Sequence, residues 1–186
     1  AETNLQSRVY LSGLMYSRRW LAWLDPTRTL WGESGVLQLA LGAKEAKRQR
    51  RFIEHHPLPA SLVTLHPQDE LEHIAGLAVA GEQGLFYPQA GWVRPKSLCQ
   101  HLLATHGIGY QQGEVTELRR VDHCWQLLLA NGDVLRADQV VIASAYLANR
   151  FAQTDWLALQ PVRGQVSSVR LPVGLASPNA GICAGG

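Results

Sequence analysis

The chain has 186 residues, 46% of them apolar, and a formal charge of +2, so it can fill one core, or one core and part of a second. No apolar run approaches the roughly 20 residues that span a bilayer, and no basic, apolar and small-residue succession marks a secretory leader. Cys99, Cys124 and Cys183 are odd in number and lack a Cys-x-x-Cys spacing, which argues against a disulfide framework or zinc site and fits a reducing, cytoplasmic setting without a membrane partner.

In chain order, Val9–Leu24 spaces Leu11, Leu14, Met15, Leu21 and Trp23 among Arg18 and Arg19, which predicts a partly buried helix ended by Asp25-Pro26. Gly35–Leu41 is short, apolar and bounded by glycines, the pattern of a strand. Ala43–His55 is a charged helix with Pro57 just beyond it. Leu62–Leu65 reads as a strand, and Pro67–Ile74 as a helix with Asp69, Glu70 and Glu72 near its positive end. Gly76–Ala80 and Leu85–Tyr87 are candidate strands. Gly84–Pro95 holds Phe86, Tyr87 and Trp92 on a stiff loop, where Gly91 permits a sharp bend or close backbone approach and Pro95 suits the first turn of a helix Lys96–Thr105. Five strands then follow closely: Ile108–Gln111, Gly113–Arg119, Trp125–Leu129, Val134–Arg136 and Gln139–Ala143. Asn131-Gly132-Asp133 marks a hairpin between two of them, and Gln139–Ala143 reads as a strand buried on both faces. Pro161–Leu171 is a further candidate strand. The expected class is α/β (α+β), with a mixed sheet and antiparallel hairpins. The apolar, glycine-rich close at Gly181–Gly186 and the non-methionine start at Ala1 suggest an excised piece of a longer protein.

Several patterns invite chemistry. Gly107-x-Gly109-x-x-x-Gly113 has the wrong spacing for a dinucleotide fingerprint and follows a helix instead of opening one, so Gly107 reads as a helix cap. Seven histidines, among them His55, His56, His101 and His106, lack the convergent cysteines or carboxylates of a metal site, and none is expected. Lys44, Lys47, Arg48 and Arg51 share one helical face. That face is either simply solvated or a stripe for nucleic-acid phosphates, and spacing cannot separate the two. Arg163, Gly164 and Gln165 combine a planar donor fork, an open backbone and an amide, which suits a polar planar group.

Gly91-Trp-Val-Arg-Pro95, Gly113-Glu-Val115, the hairpin Trp125–Asp133, Val140-Val-Ile-Ala143 and Pro161-Val-Arg-Gly-Gln165 occur in that order. Together they resemble the flavin-dependent amine oxidoreductases of the D-amino acid oxidase type, over nearly all of residues 9–171. The resemblance implies FAD as cofactor, and a D-amino acid oxidase-like substrate domain joined to part of an FAD-binding domain. On that pattern 1–34 is a helical lead-in from the flavin domain, 35–107 the substrate domain, 108–150 flavin-domain strands and 151–186 a return to the substrate domain. It implies that Val115 meets the adenine edge of FAD, that Ala143, Ser144 and Ala145 lie beside the cofactor, and that Arg163, Gly164 and Gln165 lie near flavin and substrate. Many relatives carry glycine where Ser144 or Ala145 stands here. By position, Tyr87, Gln89 and Trp92 would line the substrate cleft.

Within the family, Leu85–Val93 and Pro161–Val166 are most similar to members that modify the tRNA wobble uridine. Their flavin domain oxidises the C–N bond of a carboxymethylaminomethyl group, and a fused S-adenosylmethionine-dependent methyltransferase acts on the resulting amine. That likeness implies tRNA as partner, with Lys44, Lys47, Arg48 and Arg51 as contacts. No catalytic base need be found, because the cofactor carries the redox step. The family's glycine-rich βαβ unit and its flavin-covering strands are missing from these residues, so the chain alone is expected to hold FAD weakly or not at all. The rivals are a glycine or sarcosine oxidase of the same fold and a non-catalytic RNA-binding α/β module.

Overall fold

The computed structural model describes residues 5–105, 107–175 and 177–184; His106, one of the histidines weighed above, lies outside them. The chain forms two units, Ala1–His106 with Arg170–Gly186, and Gly107–Val169.

The first unit opens with helix α1, Leu5–Leu24. Asp25 ends it: its amide donates to the Leu21 carbonyl at 2.8 Å, while its carboxylate accepts from Thr27 Oγ1 at 2.6 Å and from the Leu30 amide at 2.7 Å. Strand β1, Trp31–Gly32, β2, Val36–Ala40, helix α2, Ala43–His55, β3, Thr64–Pro67, α3, Gln68–Ala75, β4, Gln83–Tyr87, β5, Trp92–Val93, and α4, Pro95–Thr105, follow. β1 and β5 form a two-stranded ribbon that the sequence pattern did not suggest. There a Cβ on Gly91 would stand 1.9 Å from the Gly32 carbonyl oxygen, so only glycine fits.

β2 and β4 pair antiparallel, with β3 on the far side of β4. Side chains alternate across this sheet. Leu37 and Leu39 meet Leu71 and Ala75 of α3 in the core. The opposite face meets α2 through amides: Gln49 Nε2 donates to the Gln38 carbonyl at 2.9 Å, and buried Gln83 donates to the Ala46 carbonyl at 3.0 Å. Arg50 reaches inward to Gln83 Oε1 at 2.5 Å. Gly76–Ala80, expected as a strand, is a turn, because Gly76 at φ 74° caps α3 by donating its amide to the Glu72 carbonyl. β3 begins two residues later than expected, since the Leu62 and Val63 amides are turned back onto the Pro59 carbonyl.

The second unit is a meander of β6, Val115–Val121, β7, Cys124–Leu129, and β8, Val134–Ala137. Asn131–Asp133 closes the β7–β8 turn, with Gly132 at φ 91°. Three expected strands are not ladders. Ile108–Gln111, Gln139–Ala143 and Pro161–Leu171 are unpaired among the described residues, and Val141, Val162 and Val166 are 88%, 88% and 95% exposed. Their β-branched composition favours extended backbone, but no neighbouring strand in this unit supplies the ladder. A 3₁₀ turn, Ala145–Arg150, follows instead, with Ala148 buried. The chain then returns to the first unit, where β9, Gly181–Ala184, pairs parallel with β2 and completes the order β3-β4-β2-β9.

Candidate functional site

The second unit contains a cavity of about 470 Å³ between the start of the meander and the segment leading into the 3₁₀ turn. Gly113, Glu114 and Val115 form one side, Val140 to Ser144 another, and Leu147 and Phe151 of the turn region a third. A Cβ on Gly113 would stand 2.7 Å from Leu129 Cδ2, so the glycine leaves room for the tip of that side chain. The walls are mainly apolar. Their unspent polar group is the Ser144 hydroxyl, buried without a hydrogen-bond partner among the described residues. At the rim Arg150 pairs with Glu114 at 3.6 Å, an exposed and therefore weak pair.

Of the residues singled out from sequence, the structure thus gathers Val115, Ala143 and Ser144 round one cavity. Ala145 stands beside them in the left-handed region, at φ 50°. Arg163, Gly164 and Gln165 do not line it; they lie on the exposed, unpaired segment. Leu147 and Phe151 were missed, although their four-residue spacing signals a helical turn.

The expected cleft residues diverge. Tyr87 lines an apolar cavity with Phe52, His56 and Leu62, where burial raises its phenol pKa. Gln89 accepts a hydrogen bond from Arg18 Nη1. Arg18 also donates Nε–H to Glu33 Oε1 at 2.8 Å, and that bond holds the Glu33 carboxyl below its usual range. Trp92 is 43% exposed on the β1–β5 ribbon, with the Arg94 guanidinium 5.3 Å from its ring centre. The loop turns sharply where the Ala90 amide donates to the Tyr87 carbonyl, so positions a few residues apart face different surroundings.

Lys44, Lys47, Arg48 and Arg51 are exposed together along α2. Arg48 is paired with Glu45 at 2.7 Å. No helix of the described residues is long and apolar enough to cross a membrane, and no three of their His, Cys, Asp or Glu side chains are grouped to hold a metal ion.

The cavity in the second unit fits one end of the FAD implied by the resemblance. Apolar walls suit a flat base, and the buried Ser144 hydroxyl has hydrogen-bonding capacity to spare. Nothing in it suits the diphosphate, which needs a glycine-rich turn opening a helix, because the glycine in its lining, Gly113, leads into strand β6.

Comparison with known proteins follows the same line. The chain is 48% identical over its whole length to the tRNA 5-methylaminomethyl-2-thiouridine biosynthesis bifunctional protein MnmC of Chromohalobacter salexigens, of which it covers 27%. It is 41% identical, over 88% of its length, to the protein of that name from Stutzerimonas stutzeri, of which it covers 24%. The chain therefore spans about a quarter of the length of the curated relatives it matches. Among solved structures it resembles glycine oxidase from Geobacillus kaustophilus, with a TM-score of 0.63 at 24% identity over 81% of this chain and 42% of that one. L-proline dehydrogenase from P. horikoshii gives a TM-score of 0.61 at 17% identity, over 75% of this chain and 39% of that one. At such identities the likeness concerns the fold. Residues 3–183 match the FAD dependent oxidoreductase family, and it is to this family that the chain belongs.

Proposed function

We propose that this chain is part of a cytoplasmic FAD-dependent oxidoreductase that acts on carboxymethylaminomethyl-(2-thio)uridine at the tRNA wobble position, fused to a methyltransferase that uses S-adenosylmethionine. The observation that carries this reading is the 48% identity, along the entire chain, to a protein of tRNA 5-methylaminomethyl-2-thiouridine biosynthesis described as bifunctional. Oxidation removes two electrons from the C–N bond; water then splits the imine into aminomethyluridine and a two-carbon oxo acid. FAD, when bound, supplies the electron acceptor.

The chain's own residues would bind and orient. In the second unit, read as flavin-domain strands, Val115, Ala143 and Ser144 offer the adenine end an apolar cleft and one hydroxyl, with Ala145 shaping the turn. In the first unit, read as the substrate domain, Lys44, Lys47, Arg48 and Arg51 offer a positive face to tRNA phosphates. Tyr87, Gln89 and Trp92 are assigned to three separate substrate-side surfaces. Arg163, Gly164 and Gln165 are assigned to the substrate and flavin once their segment is paired.

The test is the intact protein, purified and examined for flavin absorbance, then incubated with tRNA carrying the carboxymethylaminomethyl group. Bound flavin and release of aminomethyluridine are expected. A colourless protein without affinity for FAD would overturn the oxidoreductase assignment. A flavoprotein that oxidises glycine or sarcosine and leaves the tRNA unchanged would overturn the substrate.

A further inference from the structure

The last turn of α2 borders a cavity of about 330 Å³ inside the first unit, at the small end of ligand-pocket sizes. Phe52, Leu62 and Leu14 supply flat or branched apolar walls, and Tyr10 and Tyr87 add two further rings. The polar groups in this lining are the Arg8 side chain, the Tyr10 and Tyr87 hydroxyls and the His56 ring. His56 Nδ1 is buried with no hydrogen-bond partner among the described residues, a costly state unless something else satisfies it. The Phe52 and His56 rings are 5.3 Å apart at 48°, so the two present separate faces.

One basic residue of α2 stands near this cavity. Arg48 lies one turn before Phe52, on the same side of the helix. Its charge reaches the Tyr87 phenol, where it opposes the rise caused by burial. A ligand seated in the cavity would therefore have Arg48 at its exposed side. Purely apolar ligands leave Nδ1 unsatisfied, and a small anion leaves the apolar walls empty. An unpaired nucleotide satisfies both: a flat base with ring nitrogens enters, and its phosphates remain outside, beside Arg48.

We propose that the cavity at the C-terminal end of α2 takes one unpaired nucleobase of an RNA strand, stacked on Phe52 and hydrogen-bonded to His56, while Arg48 holds a flanking phosphate. The assignment rests on the reading that the substrate is tRNA, and it adds how the strand is gripped in its unpaired region.

The experiment measures binding of an anticodon stem–loop RNA, carrying 2-aminopurine in the loop, to the intact protein across a range of salt concentrations. Stacking should quench the fluorophore on binding. Phe52→Ala should weaken binding about tenfold with the salt slope unchanged, as expected for loss of one stacked base. Phe52→Leu keeps the apolar volume but not the flat face, and should weaken binding in the same direction with an unchanged melting temperature. His56→Phe should weaken it severalfold. Arg48→Ala should instead lower the salt slope by about 1. Wild-type affinity in the folded Phe52→Leu and His56→Phe proteins would overturn the base pocket and leave the tRNA reading standing. Equal affinity for a fully paired RNA of the same length would also overturn the pocket. No binding of the stem–loop by the wild-type protein would overturn both.

Discussion

Ala145 stands at φ 50°, where an L side chain crowds the following carbonyl at a cost of roughly 1–2 kcal/mol. Glycine has no such cost, although its greater freedom in the unfolded chain removes about 0.5–1 kcal/mol of the advantage. Ala145→Gly is therefore expected to stabilise the protein by about 0.5–1 kcal/mol, read as a higher melting temperature or denaturant midpoint. A lower midpoint would mean that the alanine methyl is packed and useful in the intact protein. The same position shows how sequence and geometry meet: the family resemblance implied glycine at Ser144 or Ala145, and the backbone at Ala145 still turns through the region that glycine prefers.

At the scale of the element, the turn after α1 depends on one carboxylate. Asp25 is 5% exposed, and its bonds from Thr27 and the Leu30 amide hold its carboxyl below the usual range. A depressed pKa in the folded state gives stability that is fully present above the unfolded value, about 4, and is lost as the pH falls through the folded one. Acid unfolding should therefore steepen below about pH 4, and Asp25→Asn should be less stable at neutral pH yet flatter in that window. A titration of melting temperature against pH checks both.

Helices were the more legible elements, for a physical reason. α2 runs over Ala43–His55 as read from sequence, because its hydrogen bonds close within four residues and Gly42 and Pro57 bracket it. Gln139–Ala143 and Pro161–Leu171 have strand composition, but a strand exists only where a neighbour accepts its amides. The β1–β5 ribbon was invisible for the converse reason: its two-residue strands gain their bonds from far along the chain. The gathering of Val115, Ala143 and Ser144 could be read only through the order of family motifs. The separation of Tyr87, Gln89 and Trp92 could not be read at all, since it depends on the turn at Ala90.

For the whole molecule, amide exchange should be slowest in β2 and β4, each of which has a ladder on both sides. It should be fastest across residues 161–171, which are exposed and unpaired. Protection of 161–171 equal to that of β2 would overturn this picture. The parallel pairing of β9 with β2 also orders the protein's assembly in time. Synthesis reaches Gly181 only after the entire second unit has been made, so the first sheet spends that interval one strand short. Closing it joins Ile182 to a core whose other members were made long before, across a loop whose entropy must be overcome late in folding. Until then the outer edge of β2 is an open template, and this is the moment at which the growing chain is most exposed to mispairing.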